Sequence, residues 1–131
     1  MIRPLKQTDY AAVKRMFHDV FDASEDPYFV TAWRNRSPSF GYFIDTIPIG
    51  AAIVSNGALN YIYTHADYRG GGIGTQLLRS VMAAYPNVHL TPVNDPEVIG
   101  WYERHGFRLS RDGDRKVYVR HQHALRNKGT K

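Results

Sequence analysis

The chain has 131 residues, 43% of them hydrophobic and 13% aromatic, with no cysteine and a formal net charge of +5. Its length and apolar content suit one domain with a real core, and the lack of cysteine excludes disulfides, thiolate metal sites and a cysteine nucleophile. No apolar run approaches the ~20 residues of a bilayer span, and the N-terminus lacks the charged-then-apolar form of a signal peptide, so a soluble, cytoplasmic protein is expected.

Ile2 to Lys6 alternates apolar and polar residues like a short first strand. Thr8 is placed to cap a helix running to about Phe21, with Val13, Met16, Phe17, Val20 and Phe21 as its apolar stripe. Pro27 suits the first turn of a second helix reaching about Arg36. Three strands are expected next: Phe40 to Ile47, a turn at Pro48-Ile49-Gly50, Ala51 to Ser55, a hairpin signal at Asn56-Gly57, then Leu59 to His65. After a glycine cluster, Ile73, Leu77, Val81 and Ala84 recur at helical spacing until Pro86 stops the run. Val88 to Val93 reads as a strand. Asp95 and Pro96 suit the N-cap and first position of a helix over 96–105, which Gly106 can close in the left-handed conformation. Phe107 to Ser110 and Lys116 to His121 form a final hairpin around Asp112-Gly113-Asp114. A three-strand meander and a helical crossover to a parallel strand make an α/β (α+β) mixed sheet with helices on its faces.

The glycine cluster is Tyr68-Arg69-Gly70-Gly71-Gly72-Ile73-Gly74-Thr75. Glycines let backbone N–H groups approach a ligand closely, and a helix starting behind them adds unpaired amides and the positive end of its dipole. That suits a phosphate or pyrophosphate; the competing reading is a plain surface turn. A nucleotide-hydrolysing P-loop would need lysine before Thr75, where Gly74 stands, and a dinucleotide GxGxxG fails in both registers, at Thr75 and at Leu77. Arg69, Gly72 and Gly74 do fit R-x-x-G-x-G. Some thirty residues on lies Trp101-Tyr102-Glu103-Arg104-His105-Gly106-Phe107.

In these two segments, and in the order of its elements, the chain resembles the GCN5-related N-acetyltransferase (GNAT) superfamily, whose patterns are Q/R-x-x-G-x-G/A and "FYEKLGF". The resemblance implies a mixed, mostly antiparallel sheet of about six or seven strands and about four helices. A splayed parallel strand pair would form the acetyl-CoA cleft. It further implies that Arg69, Gly70, Gly71, Gly72, Ile73, Gly74 and Thr75 hold the coenzyme pyrophosphate, and that Ile62, Tyr63 and Thr64 pair with pantetheine and hold the oxyanion. Asn94 is expected to contact pantetheine, because Asp95 is better used as the cap. Tyr102 takes the place of the family's general acid; a neutral phenol of pKa ~10 can protonate a leaving thiolate of pKa ~8.5. Its ring could instead simply pack under the sheet. Ala66 replaces a proline that many relatives have before the tyrosine-arginine pair.

From Met16 to Trp33 there is no Lys or Arg, while Asp19, Asp22, Glu25 and Asp26 place four negative charges within eight residues. This is either a solvated helix end before Pro27 or a receptor for a cation. The resemblance puts the segment over the acceptor side of the cleft, so Asp22, Glu25, Asp26 and Tyr28 are candidate substrate-binding residues, with Phe21, Phe29 and Trp33 nearby to hold alkyl-ammonium chains. An ammonium of pKa ~10.4 leaves roughly one molecule in 2,500 neutral at pH 7, which is worth about 4.6 kcal/mol. Glu25 or Asp26 is the candidate base, directly or through water, with His65 a second possibility.

Residues 1–110 hold ten basic and ten acidic residues, so the whole +5 lies in residues 111–131. A nucleic-acid partner would call for a spread basic face and is not expected. Residues 1–121 read as one acetyltransferase domain and 122–131 as a basic tail; His121 and His123 alone make no metal site. The expected activity is acetyl-CoA-dependent transfer of acetyl to a primary amine, a polyamine first. Protein-lysine or aminoglycoside acetylation and a non-catalytic acyl-CoA sensor are the alternatives; a homodimer is compatible with all of them.

Overall fold

The computed structural model describes residues 1–21, 27–112 and 115–120. Seven strands form one sheet: β1 (Ile2–Pro4), β2 (Phe40–Ile44), β3 (Ile47–Ser55), β4 (Ala58–Thr64), β5 (His89–Leu90), β6 (Phe107–Asp112) and β7 (Arg115–Arg120), in the order β1-β2-β3-β4-β5-β7-β6. Every neighbouring pair is antiparallel except β4 and β5. The helices are α1 (Tyr10–Phe21), α2 (Pro27–Arg34), α3 (Ile73–Ala84) and α4 (Pro96–Arg104).

The sheet separates two apolar clusters. On one face Val13, Met16 and Phe17 of α1 and Phe29, Ala32 and Trp33 of α2 pack on Ala51, Ile53 and Tyr63. On the other, Ile73, Leu77, Leu78 and Val81 of α3 and Tyr102 of α4 pack on Ala52, Val54, Leu59 and Leu90. The alternation of Ala51, Ala52, Ile53 and Val54 between the faces is the two-residue period of a strand buried on both sides. Asn56 and Gly57 turn between β3 and β4 with φ of 52° and 79°, as the Asn-Gly pair predicts.

Several boundaries differ from the sequence reading. Pro48-Ile49-Gly50 lies inside β3, and the turn falls earlier, at Asp45, whose φ is 55°. The ladder tolerates the proline because the β2–β3 register shifts there, Tyr42 facing Gly50 and Phe43 facing Pro48, so no amide is missed at a bulge. Thr8 does not cap α1. A 3-10 turn at Gln7–Asp9 precedes that helix, and Asp9 Oδ2 accepts the Lys6 amide at 2.7 Å. The same carboxylate takes two bonds from the Arg3 guanidinium, both 2.9 Å, which ties the helix start to β1. The strand expected over Val88–Val93 shrinks to His89–Leu90, because β5 and β4 pair only through Ala58 and His89. The Asp112-Gly113-Asp114 turn and the basic tail with His121 and His123 lie partly or wholly outside the described residues.

Candidate active site

Beyond Ala58 and His89 the two parallel strands part. A cleft of about 740 Å³ opens between β4, the glycine cluster, the segment Leu90–Val93 and α4. Ile62, Tyr63, Thr64, Arg69, Gly70, Gly72, Ile73, Gly74, Thr75 and Tyr102 line it, so most of the sequence-derived donor site is brought together. Gly71 and Asn94 are exposed and are not among the lining residues. Asp95 does cap α4, its Oδ1 accepting the Glu97 amide at 2.9 Å.

The cluster is shaped as an anion cradle. Gly70 and Gly72 have φ of 87° and 82°, and a Cβ added to either would meet no atom within 4 Å. Both therefore take a backbone conformation in which an L side chain would be strained, with open space beside the Cα. Gly72 is the N-cap of α3 and its carbonyl accepts the Gln76 amide at 3.0 Å. The amides of Ile73, Gly74 and Thr75 precede that first helical bond, so they have no partner in the helix ladder and point at its N-terminal end. Arg69 Nε donates to the Thr64 carbonyl at 3.0 Å, which leaves the four terminal N–H groups of the guanidinium for an anion.

Strand geometry sorts the β4 amides. The His65 amide reaches back to the Ile49 carbonyl at 2.8 Å, towards β3. Backbone groups alternate sides along an antiparallel strand, so the amides of Tyr63 and Tyr61 face β3 while those of Ile62 and Thr64 face the splay. The Thr64 carbonyl that holds Arg69 points the same way. The Tyr63 ring packs on the α1/α2 side: it lies 3.7 Å from that of Phe17, centroid to centroid, and its hydroxyl donates to the Val13 carbonyl at 3.2 Å. Burial pushes that phenol far above the usual tyrosine range.

Tyr102 is 6% exposed, with edge-on ring contacts to Trp101 and Phe107 at 4.9 and 5.7 Å. It belongs to the core cluster and also lines the cleft. Burial pushes its hydroxyl up to about 12, so at neutral pH it is a protonated donor. Val98, Trp101 and Tyr102 form one face of α4 at i, i+3, i+4 spacing, a signal from which the first two could have been assigned to the cleft. Asn60, also a lining residue, sits where the β3–β4 register shifts; no sequence pattern marks it.

The acceptor side differs more. Asp22, Glu25 and Asp26 lie outside the described residues. Tyr28 is 79% exposed on α2. Phe29 and Trp33 are core residues at 3% exposure, so they do not offer ring faces to a ligand. His65 is not in the cleft lining, and its Nδ1 accepts the Asp67 amide at 3.2 Å, which engages the lone pair a base would use. Among the described residues no group of three or more His, Asp or Glu is placed to hold a metal ion, and no helix is long and apolar enough to cross a membrane.

A family model for the acetyltransferase (GNAT) domain matches residues 29–109. The fold is similar to that of Naa50 from Arabidopsis thaliana, solved in complex with the bisubstrate analogue CoA-Ac-MVNAL, with a TM-score of 0.70 at 17% identity over 91% of this chain and 95% of that one. It is similar to the ribosomal-protein-S18-alanine N-acetyltransferase from Escherichia coli, with a TM-score of 0.72 at 20% identity over 91% and 89% of the two chains. A third likeness is to the PaiA N-acetyltransferase from Thermoplasma acidophilum in complex with coenzyme A, with a TM-score of 0.65 at 15% identity over 92% and 97%. At these identities the likeness speaks for the fold. No curated protein sequence matches the chain.

Proposed function

The chain belongs to the GNAT acetyltransferase family and is an N-acetyltransferase, and from that premise we propose that it moves acetyl from acetyl-CoA directly to a small polycationic primary amine such as a polyamine. The observation that carries the donor half is the single-residue pairing of β4 and β5 at Ala58 and His89, beyond which the cleft runs from the glycine cradle to Tyr102. Acetyl-CoA supplies the thioester that the amine attacks, yielding an amide and the free thiol.

Each step is assigned to a named group. Amides of residues 70–75 and the Arg69 guanidinium hold the pyrophosphate at the start of α3. The Ile62 and Thr64 amides face the splay and serve as donors to pantetheine and to the oxyanion of the tetrahedral species. Tyr102 is the proposed donor of a proton to the departing sulfur, and burial keeps its hydroxyl protonated at neutral pH. Glu25 and Asp26 are the proposed proton acceptors for the amine. Together with Asp22 and Tyr28 they are the proposed polycation receptor; their support is the acidic stretch between α1 and α2. Residues 1–121 act as one catalytic domain in this reading, and residues 122–131 as its basic tail.

The test is thiol release from acetyl-CoA with a panel of spermidine, n-butylamine, an aminoglycoside and peptides bearing a free N-terminus or a lysine. Turnover strongest with spermidine is expected. Coenzyme A binding without turnover on any amine would support the sensor alternative and overturn the reading.

A further inference from the structure

Asn60 belongs to none of the groups assigned above, yet β4 is built around it. Tyr61 and Tyr63 side with the α1/α2 cluster, and Ile62 and Leu59 with the α3/α4 cluster. Strict alternation would have put Leu59 with Tyr61. The register shift resolves this: Ile53 faces Tyr61 and Val54 faces Leu59, so Asn60 is the extra residue of a bulge. Its Nδ2 donates to Ser55 Oγ. Ser55 follows Val54, which is in the α3/α4 cluster, so it projects to the opposite face. Asn60 and Tyr61 thus leave adjacent positions on the same α1/α2 side, both line the cleft, and Asn60 is exposed.

One N–H of Nδ2 is committed to Ser55, and the acceptor atom Oδ1, the only atom of the carboxamide that can receive an amine N–H, remains to be offered. It stands on the cleft wall two residues before Ile62, whose amide faces the splay. A carboxylate at this place would favour the charged ammonium and oppose its deprotonation. A neutral carboxamide binds an N–H without that effect.

We propose that Asn60 is an acceptor-binding residue of this site: its Oδ1 accepts a hydrogen bond from the primary amine to be acetylated, on the α1/α2 side of β4, and Ser55 fixes the carboxamide in that orientation. The inference rests on the N-acetyltransferase reading and deepens it by naming where the amine is held.

Steady-state kinetics with spermidine and n-butylamine, at varied amine and varied acetyl-CoA, test it. Asn60→Ala is expected to raise the KM for either amine about tenfold or more, with the KM for acetyl-CoA within about twofold of the parent. Ser55→Ala gives a smaller rise of the same kind. Asn60→Asp lowers the amine KM and lowers kcat with it. Melting curves and calorimetry with coenzyme A confirm that each variant folds, and Asn60→Asp carries the test if Asn60→Ala does not. An unchanged amine KM in Asn60→Ala, or an acetyl-CoA KM that rises in step with it, overturns the proposal while leaving the activity intact. A parent enzyme that binds coenzyme A and acetylates no amine would instead overturn the activity, and this inference with it.

Discussion

Arg69 reaches back five residues to the end of β4, its Nε 3.0 Å from the Thr64 carbonyl, so the arginine that opens the cradle is braced by the strand that forms the cleft wall. Arg69→Ala is expected to weaken coenzyme A binding about 10- to 100-fold, the range for hydrogen bonds to charged groups. Arg69→Lys keeps the charge but loses both the brace and the fork geometry, and should fall between the two. Titration calorimetry with coenzyme A checks this; equal affinity of parent and Arg69→Ala would remove Arg69 from the cradle.

The two glycines of R-x-x-G-x-G answer to different physics. Gly72 has φ of 82°, so Gly72→Ala carries a backbone penalty of about 1–2 kcal/mol, a fall in Tm of several degrees, and weaker coenzyme A binding. At Gly74, inside α3, an added Cβ would lie 3.6 Å from Trp101 Cζ2 and 3.7 Å from Thr64 Oγ1, ordinary contact distances. Gly74→Ala should therefore leave Tm unchanged or raised, because alanine is the better helix former by about 1 kcal/mol. Differential scanning calorimetry of both variants would refute this if they melted alike.

Tyr102→Phe removes the proton donor and keeps the packing. We expect kcat to fall about 10²- to 10⁴-fold with little change in the KM for acetyl-CoA. A loss confined to KM would mean that the ring packs and nothing more.

The buried phenols also set an alkaline limit. Tyr102 is held near 12, and Tyr63 is raised as well, against about 10 in the unfolded chain. Between these values the unfolded chain has already released protons that the native protein retains. Stability is therefore fully present below pH ~10 and falls as pH rises towards 12, by about 1.4 kcal/mol per unit for each such group. Ultraviolet titration should show Tyr63 and Tyr102, of nine tyrosines in all, ionising only as the protein unfolds.

At the acid end the Arg3 guanidinium, hydrogen-bonded at 2.9 Å, holds the Asp9 carboxyl below its usual range. That stabilisation is present above pH ~4 and is lost as pH falls through the lowered value. Asp9→Asn should lower Tm by a few degrees at pH 7 and by less at a pH below that lowered value, where the parent carboxyl is protonated too. An equal effect at both pH values would assign the loss to packing.

The turns, caps and helical faces around the cleft were legible along the chain because their signals are local. Gly70 and Gly72 take the positive φ that glycine alone adopts without strain, Asp95 caps α4, Gly106 closes it with φ of 94°, and Asn56-Gly57 turns the hairpin. Each of these depends on its near neighbours in sequence, and so does the helical spacing that puts Ile73, Leu77 and Val81 in one core. What depends on partners far along the chain came only with the fold. Whether Pro48 breaks or joins a strand is decided by the register against Phe43. Where β5 ends is decided by its parting from β4, and which face Asn60 takes is decided by a bulge opposite Ile53 and Val54. Phe29 and Trp33 could have been ligand or core by sequence, and the sheet they pack against made them core. Local conformational preference is written residue by residue, whereas register and burial are properties of pairs that the chain brings together only when it closes.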